Sequence, residues 1–208
     1  MEQKKSLRDA LFPRLEQAPS SALRQVAANC FSRALAHDFV VDGDFVRLYS
    51  VFNSDDVRVR QPVIKELQGH IQRSDETARR RIVEAGILPA ILQGYTSAKD
   101  DLVSFLSTCV LPVLGPAFTQ NDGGLTLFPL LTHGEPQIRA ATIQALKNAL
   151  DSRHGNVENL AKACVIETLH PMMVNNDAIR DLWCRILPKV APVLANRAEI
   201  DMLFVSLK

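Results

Sequence analysis

The chain has 208 residues, 47% of them apolar and 23% charged, and its formal net charge is +1. That length and apolar content suffice for one well-buried domain or one short array of repeats. The near-neutral balance disfavours nucleic acid and anionic membranes as partners, because both attract proteins with a basic excess or a basic stripe.

The N-terminus and the cysteines indicate an intracellular protein. The charged start MEQKKSLRD is not followed by the apolar segment of a secretory signal. No run approaches the roughly 18 apolar residues of a membrane span, so we expect no membrane partner. Cys30, Cys109, Cys164 and Cys184 are far apart and lie in apolar helical patterns, which favours reduced, packed thiols over disulfides or a zinc site. We expect a cytoplasmic location, with the nucleus as an alternative.

Taken in order, the chain predicts five helical repeats, each ending in a helix that starts at an equivalent apolar residue, here called the anchor. The repeats cover residues 7–36, 42–72, 75–118, 123–150 and 156–194, and residues 197–208 form a terminal cap or a repeat cut short. The anchors are spaced by 36, 43, 36 and 41 positions, and a recurrence of this length indicates stacked helical repeats. They are Leu23, Val59, Leu102, Ile138 and Ile179.

Apolar residues recur at fixed distances after the anchors, as the buried stripe of a helix requires. An arginine follows the anchor in four of the five repeats, as Arg24, Arg60, Arg139 and Arg180. We therefore expect the last helices to bury the same face in every repeat. The apolar columns are Ala27, Val63, Leu106, Thr142 and Trp183 four positions on, Phe31, Leu67, Val110, Leu146 and Leu187 eight positions on, and Leu35, Ile71, Leu114, Leu150 and Ala191 twelve positions on.

Turn signals separate the helices. The pairs at 55–56 and 100–101 are both Asp-Asp and occupy equivalent positions, which predicts helix capping rather than a metal site or an acid–base couple. Residues 119–124 are expected to form the loop between the third and fourth repeats. The run of three arginines at 79–81 is flanked by Glu76 and Glu84 at helical spacing, which favours local ion pairs over a nuclear signal. Glycines open the preceding helices, at Gly43, Gly86 and Gly123-Gly124.

Two stretches carry a family resemblance. RIVEAGILPAIL (81–92) followed by SAKDDLVSFL (97–106) resembles an armadillo repeat, and EPQIRAATIQALKNAL (135–150) is similar to an armadillo third helix. The anchors followed by arginine also look like those of HEAT repeats. The resemblance implies an all-α fold, a right-handed α-solenoid of about five repeats, forming a single domain over residues 1–208. It further implies a non-enzymatic protein-interaction scaffold or adaptor that binds its partner on the concave groove and needs no cofactor.

The resemblance also indicates which positions line the groove. Armadillo adaptors such as importin-alpha hold extended peptides with a ladder of Trp and Asn, and only Asn148 matches that ladder here. The pattern therefore does not predict a nuclear-import receptor. The charged residues among the groove candidates are all basic, which favours an acidic or extended peptide, or a protein that carries one. The candidates are Asn29, Arg33, Lys65, Thr108, Gln144, Asn148, Arg185 and Lys189.

Three other interpretations stay open at this stage. A nucleic-acid-binding HEAT-type module would need a coherent basic stripe. A structural section of a longer repeat array would leave its apolar last helix uncovered. A helical enzyme with its site in the groove would need titratable groups within hydrogen-bond reach, yet the sequence contains no phosphate-binding loop, nucleophile elbow, dinucleotide fingerprint or HExxH pattern. We therefore predict no catalytic residue and no bound metal, while the oligomeric state stays undetermined.

Overall fold

The computed structural model describes residues 9–11, 22, 26, 33–95, 99–122, 124–151, 157–162 and 169–195. Helices and the turns between them account for these residues, and no strand occurs among them. The predicted all-α fold class is therefore confirmed. The chain forms two compact units, Met1–Leu106 and Ser107–Lys208, called the first and second units from here on. The prediction of one repeat domain over residues 1–208 stays a prediction.

The helices follow one another through short turns. The first unit contains α1 (Arg33–Val41), α2 (Phe45–Ser50), a 3-10 turn (Val51–Asn53), α3 (Val57–Arg73), α4 (Glu76–Glu84), α5 (Ile87–Gly94) and α6 (Asp100–Phe105). A π-helical turn (Leu106–Val110) continues α6 into α7 (Leu111–Asp122). The second unit then contains a 3-10 turn (Phe128–Thr132), α8 (Pro136–Asp151), α9 (Val157–Lys162), a 3-10 turn (His170–Asn175) and α10 (Asp177–Ala195).

The predicted anchors lie in the core wherever the structure describes them. Val59, Leu102, Ile138 and Ile179 are all buried, whereas Leu23 lies outside the described residues. The column eight positions on is buried at Leu67, Val110 and Leu146 and half-buried at Leu187. Successive residues four positions apart share one face of a helix. The sequence period therefore identified the buried face of each last helix.

The core of the first unit is built around a run of aromatic rings. The ring centroids of Phe45 and Tyr49 are 6.3 Å apart, those of Tyr49 and Phe52 are 5.9 Å apart, and those of Phe52 and Phe105 are 6.1 Å apart. All four side chains are buried, and burying each one stabilises the fold by about 1.5–3 kcal/mol. The Tyr49 hydroxyl donates to the Ile82 carbonyl at 3.3 Å, so its polar end is also satisfied.

The core of the second unit depends on a close approach of two helices. A Cβ atom on Gly115 would lie 2.9 Å from the Cβ of Ala145, so α7 and α8 pack with almost no side chain between them at this point. Ile138, Leu146 and Leu150 are among the other buried residues of α8. Trp183 on α10 is also buried, which agrees with its predicted packing role.

Glycines take left-handed backbone conformations where a repeat turns into its second helix. Gly86 directly precedes α5 with φ 82°, and Gly124 lies before the 3-10 turn at Phe128 with φ 86°. Residues with a Cβ rarely adopt this conformation. The predicted loop at 119–124 is wrong in extent, because α7 continues through Asp122.

Arginines that follow the anchors hold the turns that precede their own helices, in the described part of the chain, to which Arg24 does not belong. The Arg60 guanidinium donates to the Ser54 carbonyl at 2.5 Å. The Arg139 guanidinium donates to the carbonyls of His133 and Gly134 at 2.6 and 2.8 Å. Because each arginine reaches back about two helical turns, it satisfies carbonyl groups that the helix itself leaves without donors. Arg180 repeats the pattern more loosely, with the Met173 carbonyl at 3.4 Å.

Only one of the two Asp-Asp pairs caps a helix. The Asp56 carboxylate accepts from the Arg58 amide at 3.0 Å and is the N-cap of α3. The N-cap of α6 is Lys99, which makes no side-chain cap. Asp101 instead forms an ion pair with Arg60. The capping prediction is therefore correct for Asp56, whereas Asp101 lies in the first turn of α6 as expected but pairs with Arg60 instead of capping the helix.

A long apolar helix crosses the middle of the chain. Contrary to expectation, Asp100–Asn121 is long and apolar enough to span a membrane by length and composition alone, although 67% of its most apolar window is buried within the protein, as in a core helix. Its π-helical turn lies just before Pro112, which has no N–H to donate to the carbonyl of Thr108. A wider turn accommodates such a missing hydrogen bond.

Candidate interaction surface

Only some of the predicted groove residues of the first unit are described by the structure. Asn29 lies outside the described residues. Arg33 begins α1, and the structure describes its backbone but not its side chain. Lys65 is exposed on α3. This unit therefore supplies one groove candidate whose side chain can be placed.

The second unit places five predicted groove residues on exposed surface. Thr108 lies in the π-helical turn, Gln144 and Asn148 lie on α8, and Arg185 and Lys189 lie on α10, and all five are exposed. α8 packs against both α7 and α10, and these residues occupy equivalent positions after the anchors of their helices. We call this set the second-unit polar face.

Two amide side chains on α8 are joined on this face. Gln144 Nε2 donates to Asn148 Oδ1 at 2.8 Å. The bond uses one donor of Gln144 and one acceptor of Asn148. An amide group carries two donors and one acceptor oxygen, so the pair retains an acceptor on Gln144 and donors on Asn148 that can meet a ligand.

The basic residues of this face have carboxylates beside them. Arg185 Nε lies 3.8 Å from Asp181 Oδ2 on the same helix, and Lys147 Nζ from α8 contacts the same oxygen at 2.5 Å. The Lys147 hydrogen bond, followed by the charges of Lys147 and Arg185, lowers the pKa of Asp181 below its ordinary value. Asp181 is therefore ionised at neutral pH and offsets part of the positive charge that the sequence predicts here.

Lys189 is engaged in holding two helices together. Its ammonium donates to the Leu150 carbonyl and lies 3.3 Å from Asp151 Oδ1, both at the end of α8. A cation at a helix C-terminus satisfies carbonyls without helical donors and favours the negative end of the helix dipole. Lys189 therefore joins α10 to α8, which is a structural role that the sequence analysis did not predict.

Comparison with known proteins establishes the fold. No protein-family model matches the chain, and no curated protein matches it. A designed armadillo repeat protein, solved in complex with the peptide (KR)4, is similar with a TM-score of 0.50 and 12% identity, over 91% of this chain and 86% of that one. The fold is an armadillo-like, all-α solenoid. An identity this low establishes likeness of fold alone.

Two engineered proteins are also similar to this solenoid. One is 16% identical with a TM-score of 0.45, over 97% of this chain and 89% of the other. The second is 19% identical with a TM-score of 0.49, over 94% of this chain and 51% of the other.

Some charged side chains that form pairs between helices were not predicted from the sequence. Asp181 and Lys147 were not among the groove candidates. Their positions can be read in the sequence, since Asp181 follows the anchor Ile179 by two residues and Lys147 follows the anchor Ile138 by nine. His37 lies in α1, where its Nδ1 is 2.9 Å from Glu66 Oε1. Such pairs join residues about 30 positions apart, so helix packing must be known before they can be recognised.

Within the described ranges, no group of three or more His, Cys, Asp or Glu side chains is arranged to hold a metal ion. Burial raises the pKa of the Cys109 thiol to about 11. That thiol is therefore protonated at neutral pH, and a thiol of this kind is a poor nucleophile.

Proposed function

We propose that the chain is a divergent armadillo-type scaffold without enzymatic activity, and that it binds a protein partner through the second-unit polar face. The observation that carries the proposal is the exposure of Thr108, Gln144 and Arg185 at equivalent positions of successive last helices. Stacked helices bury a continuous core and leave an extended surface suited to a long peptide or helix.

The spacing of the two amides supports an extended partner. Side chains one helical turn apart, such as Gln144 and Asn148, are about 5–6 Å apart at their Cβ atoms. An extended peptide repeats its backbone groups on one side every two residues, or roughly 6.5 Å. The two amides can therefore meet donors and acceptors of one edge of an extended segment.

The same proposal includes the charge of the partner and the cellular location in which it is bound. Arg185 and Lys189 favour an acidic segment, and Asp181 and Asp151 weaken that preference because they stand beside these cations. We propose an extended protein segment whose binding depends more on hydrogen bonds than on charge. The proposed setting is intracellular, with no membrane partner and no cofactor.

The experiment is a selection of displayed peptides on the full chain, followed by affinity measurements with the selected peptides. The double variant Gln144→Ala/Asn148→Ala removes the amide pair and preserves helix propensity. Losing one or two hydrogen bonds of about 0.5–1.5 kcal/mol each weakens binding by roughly twofold to 150-fold.

The matched control is Gln93→Ala, which removes an exposed amide on α5 in the first unit. It should leave the affinity unchanged. Equal affinity of the double variant and the wild type would exclude the second-unit polar face as the binding surface, and so would an equal loss in both variants.

A further inference from the structure

Three titratable side chains lie close together where α1 packs on α3. His37 on α1 lies with Nδ1 2.9 Å from Oε1 of Glu66 on α3. The Glu66 side chain is 6% exposed, whereas that of His37 is 55% exposed. A buried carboxylate needs a polar partner, and here that partner ties α1 to α3.

His70 follows Glu66 by one turn of α3 and is half-buried. Its ring centroid is 5.7 Å from that of Phe45, the first residue of α2. The guanidinium of Arg73 folds back over Gly69, with Nη2 3.5 Å from where a Cβ of Gly69 would lie. His70 therefore has the apolar Phe45 ring on one side and the charge of the exposed Arg73 side chain close by.

Two charged groups on the surrounding helices form ion pairs of their own. On α2, Arg47 binds Asp9 and Asp44, and on α6, Asp101 binds Arg60. The remaining charges nearby are Asp38 on α1, Asp42 in the turn before α2 and the exposed Lys65 on α3. The carboxylate one turn from His70 is Glu66, which His37 already engages.

We propose that His70 and Phe45 form an acid-sensitive ring contact between α3 and α2, which opens when the pH falls. A neutral His70 packs against the Phe45 ring. A protonated His70 adds a second positive charge beside Arg73 in a half-buried site, and such a charge is hydrated only if the contact opens.

The direction of the effect follows from linkage. Burial, followed by the charge of Arg73, lowers the pKa of His70 below its ordinary value, and the charge of Glu66 opposes this only in part. The unfolded or open form therefore binds the proton more readily than the closed form. The stability that His70 contributes is complete above the unfolded value of about 6.5. It is lost as the pH falls through that value toward the lower folded pKa.

Hydrogen exchange of the full chain, measured by mass spectrometry at about pH 7.5 and about pH 5.5, tests the proposal. After correction for intrinsic exchange rates, protection of α2 and α3 should fall at the lower pH by at most roughly tenfold, because pH 5.5 lies about one unit below the unfolded pKa. His70→Gln should abolish this pH dependence, whereas His37→Gln should retain it. Retention of the full effect in His70→Gln, or no loss of protection in the wild type, would overturn the proposal.

A measurement on the wild type avoids any folding defect of the variants. An NMR titration of the His70 ring should give a pKa below that of an unfolded histidine, about 6.5. A measured value at or above that figure would overturn the proposal, whatever the variants do.

Discussion

Arg60 and Asp101 form a two-pronged ion pair between the last helices of two successive repeats. Arg60 Nε lies 2.9 Å from Asp101 Oδ2, and Arg60 Nη2 lies 2.7 Å from Asp101 Oδ1. The arginine is 3% exposed and also holds the Ser54 carbonyl. One side chain therefore fixes both the turn before its own helix and the position of the next repeat.

Removal of the carboxylate should destabilise the first unit strongly. Asp101→Ala leaves the Arg60 charge buried without its counterion, and breaking a buried pair in this way costs about 3–5 kcal/mol. Because Asp101 is 17% exposed, we expect a value near the lower end of that range. Urea denaturation followed by circular dichroism measures the change in the free energy of unfolding.

The matched control for this pair is Arg58→Ala, which breaks the exposed pair with Asp56. Exposed ion pairs contribute little to stability. If Asp101→Ala were no more destabilising than Arg58→Ala, the Arg60–Asp101 pair would not join the two repeats.

The buried glycine at the end of α5 makes a second stability prediction. A Cβ on Gly94 would lie 2.6 Å from the carbonyl oxygen of Phe52, a backbone atom that cannot move aside cheaply. Gly94→Ala should therefore lower the free energy of unfolding by about 1–3 kcal/mol, as overpacking does. Gly134→Ala is the control, because a Cβ there meets nothing within 4 Å. Equal melting curves for the two variants would contradict the close packing of α5 on the Phe52 backbone.

The sequence predicted which residues are buried more reliably than it predicted which side chains contact each other. Val59, Leu102, Ile138 and Ile179 were identified correctly because a buried helix face repeats its apolar residues with the helical period. The same period explains why the residues three positions after two of the anchors, Phe105 and Leu182, are also buried. Three residues turn a helix by about 300°, which returns the side chain to the edge of the buried stripe.

Contacts between repeats could not be predicted in the same way. In the sequence, Arg60 is the residue after an anchor and Asp101 is a predicted helix cap. Nothing in their spacing indicates that the two side chains contact each other. Lys99 is a similar case. It is buried, and its ammonium lies 3.2 Å from the Asn53 carbonyl oxygen and 3.3 Å from an Asp55 carboxylate oxygen. Such pairs depend on how far stacked helices are shifted along each other, and the helical period does not determine that shift.

The two described cysteines should differ in reactivity. Cys109 is buried, with its pKa raised to about 11, while Cys184 is exposed on α10. The expectation of packed thiols is therefore correct for Cys109 and wrong for Cys184, and Cys30 and Cys164 lie outside the described residues. Because the thiolate is the reactive form, iodoacetamide near pH 8 should modify Cys184 in the native protein and Cys109 only after unfolding. Peptide mass spectrometry distinguishes the two sites, and rapid native modification of Cys109 would contradict its burial.

The charge balance of the second-unit polar face provides the last prediction. Hydrogen bonding to Lys147 and the neighbouring charges lower the pKa of Asp181, so its carboxylate is ionised from neutral pH down past the unfolded value of about 3.9 and loses its charge only below that. Asp181→Asn removes this charge beside Arg185. Binding of an acidic peptide selected on the full chain should strengthen, by roughly two- to fivefold at low salt.

The matched control is Asp177→Asn on the same helix, where the carboxylate is 92% exposed and pairs with Arg180. It changes the net charge of the chain equally but leaves Asp181 beside Arg185. Affinities measured at about 50 mM and about 200 mM salt should rise and become more salt-dependent only for Asp181→Asn, because the screening of exposed charges increases with ionic strength. An equal response of both variants would mean that the peptide senses net charge rather than the second-unit polar face.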